Sequence, residues 1–217
     1  QHLAIFARGG EGLLEEHSTW TTRWEKAGEK AEPLLSSIAI DQFEQIRKVS
    51  KAPLFTDRTG AVLGSNPSFR RQLQLGLNHW LNRSQDNRFF ALLGTPGLAL
   101  GDVNGDGLDD LYVCQEGGLP NLLFLRNPDG TAADSSAVSG ANWLESSRAA
   151  LLVDLDNDGH QDLAVTVLGA LVLAAGNGSG GFEIRASIPT SNDTMSLSAA
   201  DVDLDGDLDL YVCSHKV

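Results

Sequence analysis

The sequence predicts an all-β protein assembled from short four-stranded antiparallel units and preceded by a mixed α/β segment. Two observations carry that expectation. A gapless pattern of aspartates and glycine occurs three times, opening at Asp102, Asp154 and Asp201, so the copies start 52 and 47 residues apart. Repetition at such a period marks one supersecondary unit used several times. Around each copy lie short runs rich in Val, Leu and Ala, separated by Gly/Asn turn signals, which is the signature of strands joined as hairpins.

Taken from the N-terminus, His2 to Arg8 and Ser18 to Trp24 have strand composition and flank Gly9-Gly10-Glu11-Gly12, which predicts a hairpin. Ile38 to Val49 fits either a helix or a strand. From Pro67 to Asn82, the residues Phe69, Leu73, Leu77, Trp80 and Leu81 fall at helical spacing. Asn66 can cap such a helix and Pro67 suits its first turn, so a helix packed on the first repeat is expected. Residues 1–90 stand outside the repeat as an N-terminal segment, and residues 91–217 hold the repeats. In the second repeat the expected order is Ala149 to Val153, the Asp-rich loop, Leu163 to Val167, Ala170 to Ala175, the turn Asn177-Gly178-Ser179-Gly180, and Phe182 to Arg185. The matching turn of the first repeat is Asn127-Pro128-Asp129-Gly130. Four short strands per unit at this period predict the blades of a β-propeller, which closes with roughly four to eight of them. About two and a half are visible, so a partial propeller is expected, truncated at its C-terminus, with the remaining blades in a longer chain.

The formal net charge of −13 comes from 29 acidic residues against 16 basic ones. Asp102, Asp106, Asp109 and Asp110 sit in the first copy, Asp154, Asp156, Asp158 and Asp162 in the second, and Asp201, Asp203, Asp205, Asp207 and Asp209 in the third; the other 16 acids balance the 16 bases. An acidic balance argues against nucleic acid or an anionic membrane surface as partner. The longest nearly apolar run, Leu163 to Gly176, has 14 residues, fewer than the about 20 that a membrane span needs. Carboxylates crowded this closely repel one another unless a cation neutralises them.

Calcium takes six to eight oxygen ligands, and a loop with oxygen side chains at positions 1, 3, 5 and 9 plus a carbonyl at 7 supplies most of them. Here those positions are Asp102, Asn104, Asp106 and Asp110 with the Leu108 carbonyl; Asp154, Asp156, Asp158 and Asp162 with the His160 carbonyl; and Asp201, Asp203, Asp205 and Asp209 with the Asp207 carbonyl. Gly107, Gly159 and Gly206 take position 6, where the turn calls for a left-handed backbone. Three Ca²⁺ sites are therefore expected. A helical calcium loop needs an acid near position 12, but Val113, Val165 and Val212 stand there, so each loop should exit into a strand.

The motif Asp-x-(Asp/Asn)-x-Asp-Gly-x-x-Asp-Leu, seen three times, resembles the FG-GAP/VCBS repeats, the calcium-bearing propeller blades of integrin α-subunits and many bacterial surface proteins. Gly97-Leu98-Ala99-Leu100-Gly101 and Asn121 through Thr131 look more like the branch related to cartilage acidic protein and the ASPIC/UnbV proteins. The resemblance covers about residues 91–217. It implies a secreted, periplasmic or cell-surface protein without catalysis, whose calcium-stiffened propeller presents a surface to a protein or glycan. Calcium at roughly 0.1–1 mM, the working range of extracellular modules, agrees with that location. The alternative is a non-catalytic propeller part of a glycan-processing lyase or hydrolase.

Other side chains have simpler expected roles. Cys114 and Cys213 occupy one repeat position, two blades apart, and are expected as buried free thiols. His2, His17, His79, His160 and His215 lack metal-ligand spacing, and the sequence has no nucleophile elbow. The ring of His160 should face solvent. Trp20, Trp24, Trp80 and Trp143 are expected in buried packing, and Glu15, Glu16 and His17 in a solvated turn. Asn82-Arg83-Ser84, Asn177-Gly178-Ser179 and Asn192-Asp193-Thr194 are glycosylation sequons.

Overall fold

The computed structural model describes residues 2–9, 12–26, 33–48, 55–83 and 96–214. His215 and Ser84, the last residue of the first sequon, lie outside the described residues. The chain divides into two compact units, Gln1–Asp57 and Arg58–Val217.

The first unit is an antiparallel meander of β1 (His2–Gly9), β2 (Gly12–Glu25) and β3 (Leu34–Lys48), in that order. The expected hairpin forms, with Gly9 opposite Gly12, and β2 begins earlier than Ser18. The stretch that suited helix or strand is a strand as far as Lys48, and Val49 lies outside the described residues. Two register shifts leave Ser36 and Asp41 of β3 outside the strand register with β2, although Ser36 Oγ donates to the Arg23 carbonyl and Asp41 accepts from the Thr21 hydroxyl. Each extra residue bends the strand and resets which side the next residue faces. Ser18, Trp20, Thr22 and Trp24 share one face of β2 by strand alternation, and their partners are Phe43, Ile40, Ile38 and Leu35. Spaced three, two and three residues apart, these four apolar residues of β3 would be split between the faces of a regular strand; the bulges bring them to one. The Trp20 indole N–H donates to Ser18 Oγ (2.6 Å) and that of Trp24 to Thr22 Oγ1 (3.1 Å). Trp24, Leu35, Ile38, Ile40 and Phe43 are nonetheless exposed. For Trp24 the expectation of burial fails, because no other described element of this unit covers this face.

The second unit opens with α1 (Thr59–Leu63), which the sequence did not announce. A helical turn follows from Pro67, running as a π-helix over Phe69–Leu73, and then α2 (Leu77–Leu81). The single helix expected over Pro67 to Asn82 is therefore two pieces. The break falls at Gly76, whose extended backbone (φ −71°, ψ 168°) starts α2; glycine gives up helical conformation at least cost in side-chain packing. Asn66 is not a helix cap. Its amide donates to the carbonyls of Ala132 (2.8 Å) and Leu63 (3.1 Å), and its Oδ1 accepts from Asp134 N–H (2.9 Å). The segment does pack on the first repeat, where Leu63 and Phe69 join Val113, Leu122, Phe124 and Ala132 in one apolar cluster.

The first repeat is a four-stranded antiparallel meander of β4 (Leu98–Gly101), β5 (Asp110–Val113), β6 (Leu122–Arg126) and β7 (Ala132–Asp134). A short helix, α3 (Ser136–Ser139), leads to the second meander: β8 (Ser147–Val153), β9 (Asp162–Val167), β10 (Ala170–Gly176) and β11 (Phe182–Pro189). The third repeat contributes β12 (Thr194–Ala200) and β13 (Asp209–Ser214). All four strands expected of the second repeat are present, and Asn177 closes its turn by accepting from Ser179 and Gly181 N–H (2.9 and 3.0 Å).

Strand β8 lies against both β4 and β12. The core runs between the first two repeats, from Tyr112, Cys114 and Leu123 to Leu163, Val165, Val172 and Ala174. Their backbones approach closely: a Cβ on Gly97 would stand 2.5 Å from the Arg148 carbonyl oxygen. Buried Asn121 straps the two repeats, accepting from Gln115 N–H (2.8 Å) and donating to Ser147 Oγ (2.9 Å). Both cysteines are free, as expected, but only Cys114 is buried. Cys213 is exposed because its sheet has just two strands here and no third strand covers it. Burial pushes the Cys114 thiol up to about 12, against a smaller opposing effect of the Gly97 backbone hydrogen bond. Among the described residues no helix is long and apolar enough to cross a membrane.

Candidate metal centres

Each Asp-rich loop connects the first strand of a repeat to the second, so it exits into a strand at β5, β9 and β13 as expected. Its conformation is organised by the first aspartate. Asp102 accepts from the N–H groups of Gly105, Asp106 and Gly107 (2.8, 3.1 and 2.8 Å). Asp154 accepts from Asp158 and Gly159 (3.1 and 2.9 Å), and Asp201 from Asp205 and Gly206 (3.2 and 3.1 Å). The N–H of the seventh residue in turn binds the fifth side chain: Leu108 to Asp106, His160 to Asp158 and Asp207 to Asp205 (2.8, 2.8 and 3.0 Å). A short carboxylate that gathers backbone donors wraps the chain around itself in the way of Asx turns.

The sixth-position glycines adopt the expected left-handed backbone, with φ of 81°, 88° and 97° for Gly107, Gly159 and Gly206. The fourth position is left-handed too, at Gly105 (75°), Asn157 (60°) and Leu204 (64°). Sequence reasoning missed this second requirement. Glycine and asparagine at the fourth position of the first two loops were its visible signal, since both tolerate that region; Leu204 hid it.

The ninth position also does more than the ligand pattern implies. Asp110, fully buried, accepts from Val103 N–H in its own loop (3.0 Å) and from Arg126 N–H at the end of β6 (2.8 Å). Asp162, 4% exposed, repeats this with Leu155 N–H and with Gly176 N–H at the end of β10 (both 2.9 Å). One carboxylate thus staples loop to third strand. Asp209 holds its own loop through Val202 N–H (3.0 Å) and is exposed.

The carboxylate oxygens of Asp154, Asp156 and Asp162 lie within 4.8 Å of one another, and so do those of Asp201, Asp203 and Asp205. Two of the three predicted loops therefore gather carboxylates that could hold a metal. Asp158 and Asp209 lie outside these groups. In the first loop the third donor is the Asn104 carboxamide, whose Oδ1 accepts from Asp106 N–H (3.0 Å) and whose Nδ2 donates to Asp106 Oδ2 (3.2 Å). The donor set is all oxygen and mostly anionic, which suits a hard divalent cation and not a soft one.

Electrostatics separate the two ends of the first loop. The N–H of Gly107, with those of Gly105, Asp106 and Asn104, holds Asp102 below the usual carboxylate range against some desolvation. Burial raises Asp110, only partly offset by the N–H groups of Arg126 and Val103, and the nearby charges of Asp106 and Asp102 raise it further. A cation in the loop would relieve that crowding.

The loops also touch their neighbours. Gly180 N–H of the second repeat's turn donates to the Val103 carbonyl in the first loop (2.9 Å). The exposed His160 ring rests on Gly178, where a Cβ would stand 2.4 Å from Nδ1. From the second loop, Asn157 Nδ2 donates to Asp207 Oδ1 of the third (2.9 Å) and to the Gly206 carbonyl (3.5 Å).

Comparison with known proteins agrees with this geometry. No curated protein matches the chain. The FG-GAP-like repeat profile matches residues 102–165 and again 154–212, so each match opens on the first aspartate of a loop and ends in the strand that leaves the next loop. Three copies of one acidic strand-to-strand loop, spanned by two overlapping matches, mark the chain as a member of the FG-GAP-like repeat family.

Proposed function

We propose that the chain is a calcium-binding, non-catalytic β-propeller module of an extracellular, periplasmic or cell-surface protein, presenting a surface to a protein or glycan. The observation that carries it is the threefold recurrence of an oxygen-donor loop at the same strand-to-strand bend, with three carboxylates drawn within 4.8 Å in two of the loops. Asp102, Asn104, Asp106 and Asp110 would hold the first ion, Asp154, Asp156 and Asp162 the second, and Asp201, Asp203 and Asp205 the third, with the carbonyls of Leu108, His160 and Asp207 completing the sets. Bound calcium supplies positive charge where like charges crowd and locks the bend between the first two strands of each repeat. The two four-stranded meanders, packed side by side through β4 and β8, support the reading of each repeat as a propeller blade.

The test is thermal unfolding and calorimetry with calcium and with chelator. A ligand at about a hundredfold its Kd stabilises by about 2.7 kcal/mol, which for a chain of this size raises Tm by roughly 5–10 °C. Chelation should lower Tm by that amount and calcium restore it. A Tm indifferent to chelator, with no heat on titrating millimolar Ca²⁺, would remove the proposal.

A further inference from the structure

We propose that the second and third loops bind their cations cooperatively, with Asn157 as the coupling residue; this rests on the calcium reading above. Asn157 sits at the fourth position of its loop, between Asp156 and Asp158, and its backbone is left-handed (φ 60°). That conformation belongs to the loop's wrapped form, and it aims the side-chain amide away from its own donors. The amide reaches the next loop, donating to Asp207 Oδ1 (2.9 Å) and to the Gly206 carbonyl (3.5 Å). Gly206 and Asp207 are the residues whose N–H groups bind Asp201 and Asp205, two of the third loop's clustered carboxylates.

Ordering either loop therefore orders the other. A cation that fixes Asp156 fixes the backbone of the following residue, and the amide then holds Gly206 and Asp207 in the arrangement that the third loop's carboxylates need. Linkage makes the effect reciprocal. Two neighbouring dications also repel, and the Asp207 carboxylate, whose residue contributes to the third site through its carbonyl, places a negative charge at the contact. The first loop has no side chain at its fourth position, Gly105, and its contact with the second repeat, Gly180 N–H to the Val103 carbonyl, does not involve Asn157, so it serves as an internal control for this substitution.

Amide NMR resolves the sites, since Gly107, Gly159 and Gly206 each report one loop. In a calcium titration of the whole chain, the Gly159 and Gly206 resonances should move together and more steeply than a hyperbola. Asn157→Gly keeps the left-handed backbone while deleting the amide. It should raise the Gly206 midpoint about three- to tenfold, the scale of one ordinary hydrogen bond's net contribution, and leave Gly107 unmoved. Asp203→Asn, which weakens the third loop, should raise the Gly159 midpoint as well. Hyperbolic curves that neither substitution shifts, in well-dispersed spectra, would overturn the coupling while the calcium reading stands. No calcium-dependent shift at any of the three glycines would overturn both.

Discussion

The second and third loops have nearly the same internal hydrogen bonds, yet their ninth-position aspartates live in different surroundings. Asp162 is 4% exposed and bonded to both its loop and the end of β10; Asp209 is exposed and bonded to its loop through Val202. The bend is therefore local chemistry, set by the first aspartate and the left-handed residues. The seal over its far end is tertiary, because it needs a third strand to deliver an N–H. A repeat of two strands has the bend without the seal.

Substitutions at these positions test that contrast. The largest effect is expected at Asp162: replacement by alanine strands two backbone N–H groups, of Leu155 and Gly176, and should cost about 3 kcal/mol. Urea unfolding in the presence of chelator isolates this structural role from metal binding. Asp209→Ala, under the same conditions, should leave the midpoint close to the parent's. Equal losses at the two positions would mean that the third strand adds nothing to the seal.

Next comes the bend itself. Leu204 is 85% exposed and held at φ 64°, so it gives little burial in return for a conformation that disfavours its side chain. Leu204→Asn, the residue the second loop uses, should stabilise by roughly 0.5–1 kcal/mol in the same unfolding assay. Thiol labelling probes the missing cover: Cys213 should react with a disulfide reagent at pH 8 at least about 100-fold faster than Cys114, which is buried with its pKa pushed up to about 12. Comparable rates would mean that the core between the first two repeats opens readily.

The smallest expected effect is on acid stability without metal. Asp102, lowered in the fold, contributes stability that is complete above its unfolded value and disappears as pH falls through its folded one. Asp110, raised in the fold, acts in the opposite sense: native protein takes up its proton first, so the fold gains as pH drops through that folded value toward the unfolded one. Asp102→Asn and Asp110→Asn should therefore change the slope of stability against pH in opposite directions between about pH 5 and 3, a window set by an unfolded carboxylate near 4.

What could be read beforehand follows the same division. The strands of the second repeat, its Asn177 turn and the loop pattern were legible because each depends on neighbours a few residues away. Gly76 breaking a helical pattern, Asn66 reaching Ala132 and Asp134, and Asp110 reaching Arg126 were not, since each depends on which strand arrives from elsewhere. Leu204 shows a subtler failure: the loop imposes a backbone state that the residue itself does not advertise. Ser36 and Asp41 hid the facing of β3 for a related reason, as a bulge is defined by the partner strand and has no composition of its own.

Those two bulges carry a consequence for how this sheet tolerates change. Because Leu35, Ile38, Ile40 and Phe43 share a side only through the extra residues Ser36 and Asp41, deleting either one would turn everything beyond it over, sending indole-matched hydrocarbon to the polar side. Point substitutions at Ser36 or Asp41 should be absorbed, whereas a one-codon loss at the same place should not. The strand's residue count, more than the identity of those two residues, is what heredity has to preserve there.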